Sequence, residues 1–444
     1  MLYKAATRHP SRTMTKPPDS LRLTLATLLA GVLIGVIGGL FILALGSIDE
    51  ARLALIDFTQ EHAVPDELAA LGFGLTGAAL AMLAAWLARR FAPDAPQVRA
   101  AGADAGPPAS GSDLGALSVN FAGGSLAVGA GLAVGPERPA IQMGGAVGRS
   151  VSRWLGLAPQ DTGLLLASTG GAGVATMFNS PLGCAAYVVE TVVKRVDLRL
   201  SLTALGAGAV AVGVSRLVTG RSVNFSVDAL PVYHFGQLVL YLLLGVLVGV
   251  LAYAQSRTIK AIAAIVQRPR LPPGVRAGLI GAAAGVLAWQ APGVVGTGES
   301  MVQSVLDGEL LLSMLALVLL IRFLLGPLSL AASTPGGYFT PALLLGALSG
   351  ALFGEIAGMV LPAGAVPPTA AFALVGMSVT LAAIAHAPFT GILLTLETTG
   401  AFMMALPMIV AVFGAIAVIR LLKSPMLSHG LEAMAQGDRG GQQT

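Results

Sequence analysis

The sequence predicts an all-α integral membrane protein built from two similar halves, with helices broken several times at membrane depth. Three observations predict it: an apolar composition with few charges, an internal repeat, and Gly/Pro breaks inside otherwise apolar segments. Of 444 residues, 55% are hydrophobic and only 11% charged, and the mean hydropathy is +0.80. That is far from the makeup of a soluble domain. Leu23 to Ile48 holds 26 residues without a charge. About 20 residues cross a hydrocarbon core of roughly 30 Å, and signal-peptide apolar regions are shorter, so this stretch reads as a retained span.

Charge sets the expected orientation. Lys4, Arg8, Arg12, Lys16 and Arg22 precede the first span against Asp19 alone, whereas the segment after it carries Asp49, Glu50, Asp57, Glu61, Asp66 and Glu67 against Arg52. The positive-inside rule then places the N-terminus in the cytoplasm. Arg89 and Arg90, the Lys194, Arg195 and Arg199 group, and the cluster from Arg257 to Arg276 mark further cytoplasmic loops. The net charge of +4 therefore needs no nucleic-acid partner. Cys184 lies in apolar sequence with no second cysteine, which excludes a disulfide and a cysteine-based metal site and leaves a packing role. No cofactor is implied. An intramembrane enzyme would need a nucleophile or metal set; there is no H-E-x-x-H, and His9, His62, His234, His386 and His429 are scattered.

The remaining apolar segments run at about 69–88, 113–135, 139–157, 161–193, 200–218, 229–254, 275–293, 308–334, 341–361, 368–399 and 403–422. Breaks fall at "GPERP" (135–139), "FNSP" (178–181), "TPGGYFTP" (334–341) and "HAP" (386–388). Broken helices at membrane depth are tolerated where they are buried or line a cavity. The expected organisation is a tail over 1–20, one transport domain over 21–422 with halves of about 21–218 and 229–422, and a tail over 423–444 too polar and Gly-rich to fold alone.

Pro139, Ala140, Gly144 and Gly148 recur as Pro341, Ala342, Gly346 and Gly350 at an offset of 202 residues. Pro181, Glu190 and Thr191 recur as Pro388, Glu397 and Thr398 at an offset of 207. Such duplication is common in transporters, whose halves of opposite topology meet at a midplane site made of discontinuous helix ends.

Each repeat starts a helix just after a Gly/Pro kink, with Pro139 and Pro341 in the first turn, where a missing N–H costs nothing. A helix starting inside a membrane presents unpaired N–H groups and the positive end of its dipole, and two such ends facing each other hold a partly dehydrated anion. Partial charges allow release where a full lysine or arginine charge would bind too tightly. Glu137, just before such a start, is itself an anion able to take the substrate's place, and protonation or a competing anion would move it out. Burial favours its protonated form and the helix end its ionised form, so it is expected to titrate in use. Phe339 holds the aligned place before Pro341, where its electropositive ring edge could border an anion path or simply pack.

These residues resemble the CLC family of chloride channels and proton/chloride exchangers. Its G-R-E-G-P-x-x-Q-x-G-G looks like "GPERPAIQMGG", its G-x-F-x-P is met by "GYFTP", its F-N-A-P-L…E is similar to "FNSPLGCAAYVVE", and its A-P-L-T-G-I-x-L-x-L-E-x-T-G is nearly verbatim in "APFTGILLTLETTG". The match runs from about 20 to 430, in order. The resemblance implies inverted repeats of tilted helices, a homodimer in a bacterial-type inner membrane with one anion path per subunit, both termini cytoplasmic, and Glu137 as the gating glutamate. It implies an anion site at Gly135, Pro136, Arg138, Gly337, Tyr338, Phe339 and Thr340, with the Phe339 N–H as a ligand.

Three departures stand out. The family's G-S-G-I-P should follow Arg89 to Ala95, yet only Ser110 and Ser112 lie downstream; its last-helix tyrosine falls at Leu427; and Arg-Glu-Gly is Pro-Glu-Arg, which moves the cation to Arg138. The internal proton acceptor of the exchangers falls at Thr191, beside Glu190. Glu190 and Thr191 are thus the candidates for a proton path, although a helix-terminal Glu190 near Lys194 at i, i+4 is the favoured reading. Within anion transport a channel, an exchanger and a fluoride exporter stay open, the last disfavoured by the retained Phe339. A family member that has lost transport and serves as an assembly partner is the remaining alternative.

Overall fold

The computed structural model describes residues 19–91, 113–220, 223–228, 233–267, 271–362 and 364–424. Its helices are α1 (Asp19–Glu61), α2 (Asp66–Phe91), α3 (Asp113–Gly129), α4 (Glu137–Trp154), α5 (Pro159–Phe178), α6 (Pro181–Tyr187), α7 (Leu198–Thr219), α8 (Leu238–Gln267), α9 (Pro273–Gln290), α10 (Glu299–Leu306), α11 (Leu312–Ala331), α12 (Phe339–Val360), α13 (Thr369–Ala385), α14 (Pro388–Thr399) and α15 (Ala405–Leu421). A π-helical turn, Val188–Val193, continues α6. Seven of these, α1, α2, α7, α8, α11, α12 and α15, are long and apolar enough to cross a membrane. The protein is an integral membrane protein.

The Gly/Pro breaks interrupt helices where the sequence places them. Asn179 and His386 end α5 and α13 in the left-handed conformation, at φ 54° each, and Pro181 and Pro388 open the next helices. Two elements depart from expectation. α1 does not stop at Ile48 but runs on through the acidic stretch to Glu61. Nothing between Ser47 and Glu61 breaks a helix, and Ala, Leu, Arg and Glu favour one, so charge density alone does not end it. Its 43 residues measure roughly 65 Å, about twice a bilayer core. α10, an eight-residue helix, was not anticipated, because so short an element carries little periodicity.

The repeat is a repeat of packing. α4 lies against α5 as α12 lies against α13. In the first pair a methyl on Gly144 would overlap the Thr169 carbonyl and one on Gly173 the Ala140 carbonyl; in the second, Gly346 and Gly376 stand in the same relation to each other's carbonyls. Small residues thus bring backbones together where lipid offers no hydrophobic drive for association. α13 forms the centre of the core and is buried from Ala371 to Ala385. Gly376→Ala is therefore expected to overpack α12 against α13 and cost about 1–3 kcal/mol. A lowered melting temperature in detergent, with Gly358→Ala on the open side of α12 unchanged, checks this. Cys184 is buried beside Ala175 and Val212, as a packing residue.

Candidate anion site at the meeting of the two halves

The two Gly-rich breaks come together. Gly135 and Gly337 form an isolated antiparallel bridge, the Gly135 N–H donating to the Gly337 carbonyl at 2.9 Å and the Gly337 N–H to the Gly135 carbonyl at 2.8 Å. This latch sets the starts of α4 and α12 side by side, two residues downstream on each strand. Pro139 and Pro341 each sit in the first turn, where the absent N–H is no loss.

Glu137, 2% exposed, reaches from α4 to the start of α12. Its Oε1 accepts from the Phe339 N–H at 2.6 Å and its Oε2 from the Thr340 hydroxyl at 3.3 Å. The carboxylate therefore occupies the donors that a helix N-terminus offers an anion. Its seat has no room for side chains: a methyl on Gly337 would overlap Oε1, and one on Gly135 would overlap Oε2. The backbone groups of these two glycines are spent on each other, so their part in the site is space and alignment rather than donation. Pro136 caps α4, accepts from the Ala140 N–H at 3.0 Å and offers no donor of its own.

Of the other residues the sequence singles out, Phe339 is half-buried and meets the Tyr187 ring edge-on, centroids 5.6 Å apart. Tyr338 turns away from the site, and its hydroxyl accepts from the Gln255 side chain on α8. Gln255 also donates to the Phe323 carbonyl at 3.2 Å, so Tyr338 anchors the loop into the α8–α11 interface. No pattern marked Gln255, which lies 83 residues from Tyr338. Arg138 is half-buried and forms no ion pair with Glu137, because successive helical side chains diverge. Ser110, Ser112 and Leu427 lie outside the described residues.

Glu190 does not pair with Lys194. Its carboxylate crosses to the other half and accepts from the Phe389 N–H at 3.0 Å, the Thr390 N–H at 2.8 Å and the Thr390 hydroxyl at 2.7 Å, capping α14. Glu397 returns the arrangement, accepting from the Ser180 hydroxyl at 2.6 Å and the Leu182 and Gly183 N–H groups at 2.8 and 3.0 Å, capping α6. The repeat that aligned Glu190 with Glu397 held this information, since equal residues at equal places in the two halves make equal contacts. The neighbouring Thr191 hydroxyl is buried and, among the described residues, has no hydrogen-bond partner.

With its carboxylate holding three donors, Glu190 has a structural part at the start of α14. Glu190→Gln is accordingly expected to lower stability by about 1–3 kcal/mol while leaving the ratio of protons to anions moved unchanged, as read by melting temperature and flux stoichiometry. Loss of proton movement would restore Glu190 to the proton path.

A cavity of about 360 Å³ reaches Pro136, the residue before Glu137. It is lined also by Asp49, Glu50 and Glu299 and by Arg216. Arg216 donates to the Asn179 side chain at 2.7 Å, which fixes the vestibule's cation to the break between α5 and α6.

Broken helices from two like halves, meeting at donors filled by a tethered carboxylate beneath a polar vestibule, define an inverted-repeat membrane protein of the anion-transport class. The family model described as voltage gated chloride channel matches residues 80–420, and the chain belongs to that family. It is 32% identical over 442 residues to an H(+)/Cl(−) exchange transporter ClcA of Vibrio campbellii, covering 96% of this chain and 92% of the relative. To the same-named transporter of Vibrio parahaemolyticus it is 33% identical over 431 residues, covering 94% and 90%. A crystal structure of a slow cyanobacterial Cl−/H+ antiporter superposes with a TM-score of 0.86 at 27% identity, over 95% of this chain and 99% of that one.

Proposed function

We propose that the chain exchanges chloride for protons, with Glu137 both closing the anion path and carrying the proton. The observation that carries this reading is the seat of Glu137 on the Phe339 N–H and Thr340 hydroxyl, the place where an anion would bind. An anion arriving through the vestibule competes for those donors. Protonation removes the charge that holds Glu137 there, so the neutral side chain leaves and the anion takes the N–H groups. Return of the carboxylate expels the anion and releases the proton, and each swing thus opposes one movement to the other. The exchange transporters to which the chain is similar support coupling of this kind.

Gly135, Gly337 and Pro136 shape the seat, Tyr338 anchors it, and Phe339, Thr340 and Arg138 face the anion. Residues 21–422 act as one transport domain with cytoplasmic tails at 1–20 and 423–444, in the cell membrane, as a homodimer with one path per subunit. The charge asymmetry across the first span supports the orientation.

Purified protein in liposomes, loaded with chloride and followed by chloride and pH electrodes, tests the proposal. Chloride efflux drives proton uptake, and a chloride gradient moves protons uphill. Chloride movement without protons would make the protein a channel, and absence of chloride movement would sink the proposal.

A further inference from the structure

A second cavity, of about 280 Å³, lies between α1, α2, α3 and α9, apart from the one that reaches Pro136. From α1 it is lined by Ile48, Ala51, Arg52 and Leu55, a spacing that puts all four on one face of the helix. Ala51, Leu55 and, from α2, Thr76 are exposed, so the cavity is open at the surface between α1 and α2. The uncharged run of α1 ends at Ile48 and Arg52 follows about one turn later. That sets the cavity where hydrocarbon gives way to headgroups.

The walls are apolar apart from Arg52, Thr76 and Ser125. The Arg52 side chain is 9% exposed and donates to Asp49 Oδ1 at 2.8 Å and to the Val128 carbonyl at 2.7 Å. A guanidinium carries five donors, so Arg52 keeps some to spare. The Ser125 hydroxyl is buried and, among the described residues, has no hydrogen-bond partner. An apolar hollow with a cation and an unanswered hydroxyl in its walls, at headgroup depth, matches an anionic phospholipid. The chain fills the hollow, the phosphate meets Arg52, and an ester carbonyl accepts from Ser125.

We propose that this cavity holds one chain of an anionic phospholipid whose phosphate draws Arg52 away from Asp49 and so turns down anion entry. Asp49 lines the vestibule while its partner Arg52 lines the lipid cavity, and the ion pair therefore spans the wall between the two. Freed of Arg52, the Asp49 carboxylate adds its full charge to a vestibule that already carries Glu50 and Glu299, and an approaching anion is repelled. The effect on entry rests on the anion-transport reading above; the lipid site does not.

Native mass spectrometry of the purified chain, titrated with phosphatidylglycerol, is expected to show one tightly held lipid per subunit, with phosphatidylcholine held more weakly. Arg52→Gln weakens the bound phosphatidylglycerol about tenfold, the effect of one hydrogen bond to a charged group. Thr76→Trp fills the mouth of the cavity and displaces the lipid with Arg52 intact. In liposomes, native chloride flux falls several-fold as phosphatidylglycerol replaces phosphatidylcholine. Thr76→Trp keeps the flux high in both membranes, Arg52→Gln keeps it low in both, and inorganic phosphate, which has no chain, leaves the native flux unchanged. If the Arg52 variant does not fold, the Thr76 variant decides. Equal retention of the two lipids, retention undiminished in both variants, a measurable flux that ignores the lipid, or inhibition by inorganic phosphate overturns the proposal. Absence of chloride movement in every membrane counts against the transport reading, and the lipid site is then judged by mass alone.

Discussion

Liposomes carrying Glu137→Ala are expected to move no protons, to release chloride, and to release it at the same rate in acid and at neutral pH. On the mechanism proposed above, the Phe339 N–H and the Thr340 hydroxyl hold the charged carboxylate in its seat, and the path is closed while Glu137 is ionised. Lowering the pH protonates it, weakens both hydrogen bonds and opens the path; native anion flux therefore rises as pH falls. Alanine has neither the charge that closes the path nor the proton that is exchanged. Losing one hydrogen bond to a charged group removes about 1.5–3 kcal/mol of closure, enough for about 10- to 100-fold more open protein. Paired chloride and pH electrode recordings check this, and residual acid activation in the variant would mean that another group senses pH.

Gly337→Ala should reach much of the same state with the carboxylate still present. The added methyl would take the space of Oε1, and the loop cannot retreat because Gly337 is latched to Gly135 by two hydrogen bonds. The side chain of Glu137 is the softer partner, so it is displaced from the Phe339 N–H. Anion flux is expected to rise several-fold, its acid dependence to flatten, and fewer protons to accompany each anion. Gly135→Ala, whose methyl would take the space of Oε2, should act in the same direction. Native flux with native pH dependence in both variants would show that the closed gate does not use this seat.

Much of this site is legible because its determinants are local. Glycine and proline at 135–139 and 334–341 announce where helices break, and the constant offset between Pro139 and Pro341 announces that the two breaks are counterparts. A charge inside such a break singles out Glu137 without any coordinates. What stayed hidden depends on distance along the chain or on the absence of a signal. Glu190 finds its donors 199 and 200 residues away, whereas helix periodicity proposes the nearby Lys194. The acidic run after Ile48 looks like a loop because charge is read as exposure, yet a helix leaving the membrane stays a helix when nothing breaks it. Tyr338 looks like a site residue by position, and only packing shows its hydroxyl directed to Gln255.

The exchanged caps of Glu190 and Glu397 bear on how such a chain can come to exist. Each half, made as a separate polypeptide, would insert a short helix whose opening donors face hydrocarbon unanswered, at a cost of several kcal/mol for each group left bare. Two halves set head to tail cure both defects with the same residue. A half-length ancestor would have needed a second copy of itself in the opposite orientation to be stable at all, and fusion of the two genes would then have preserved a partnership already obligatory. Separately encoded halves, synthesised in one cell, should accordingly assemble with each other and accumulate, while either half alone is degraded.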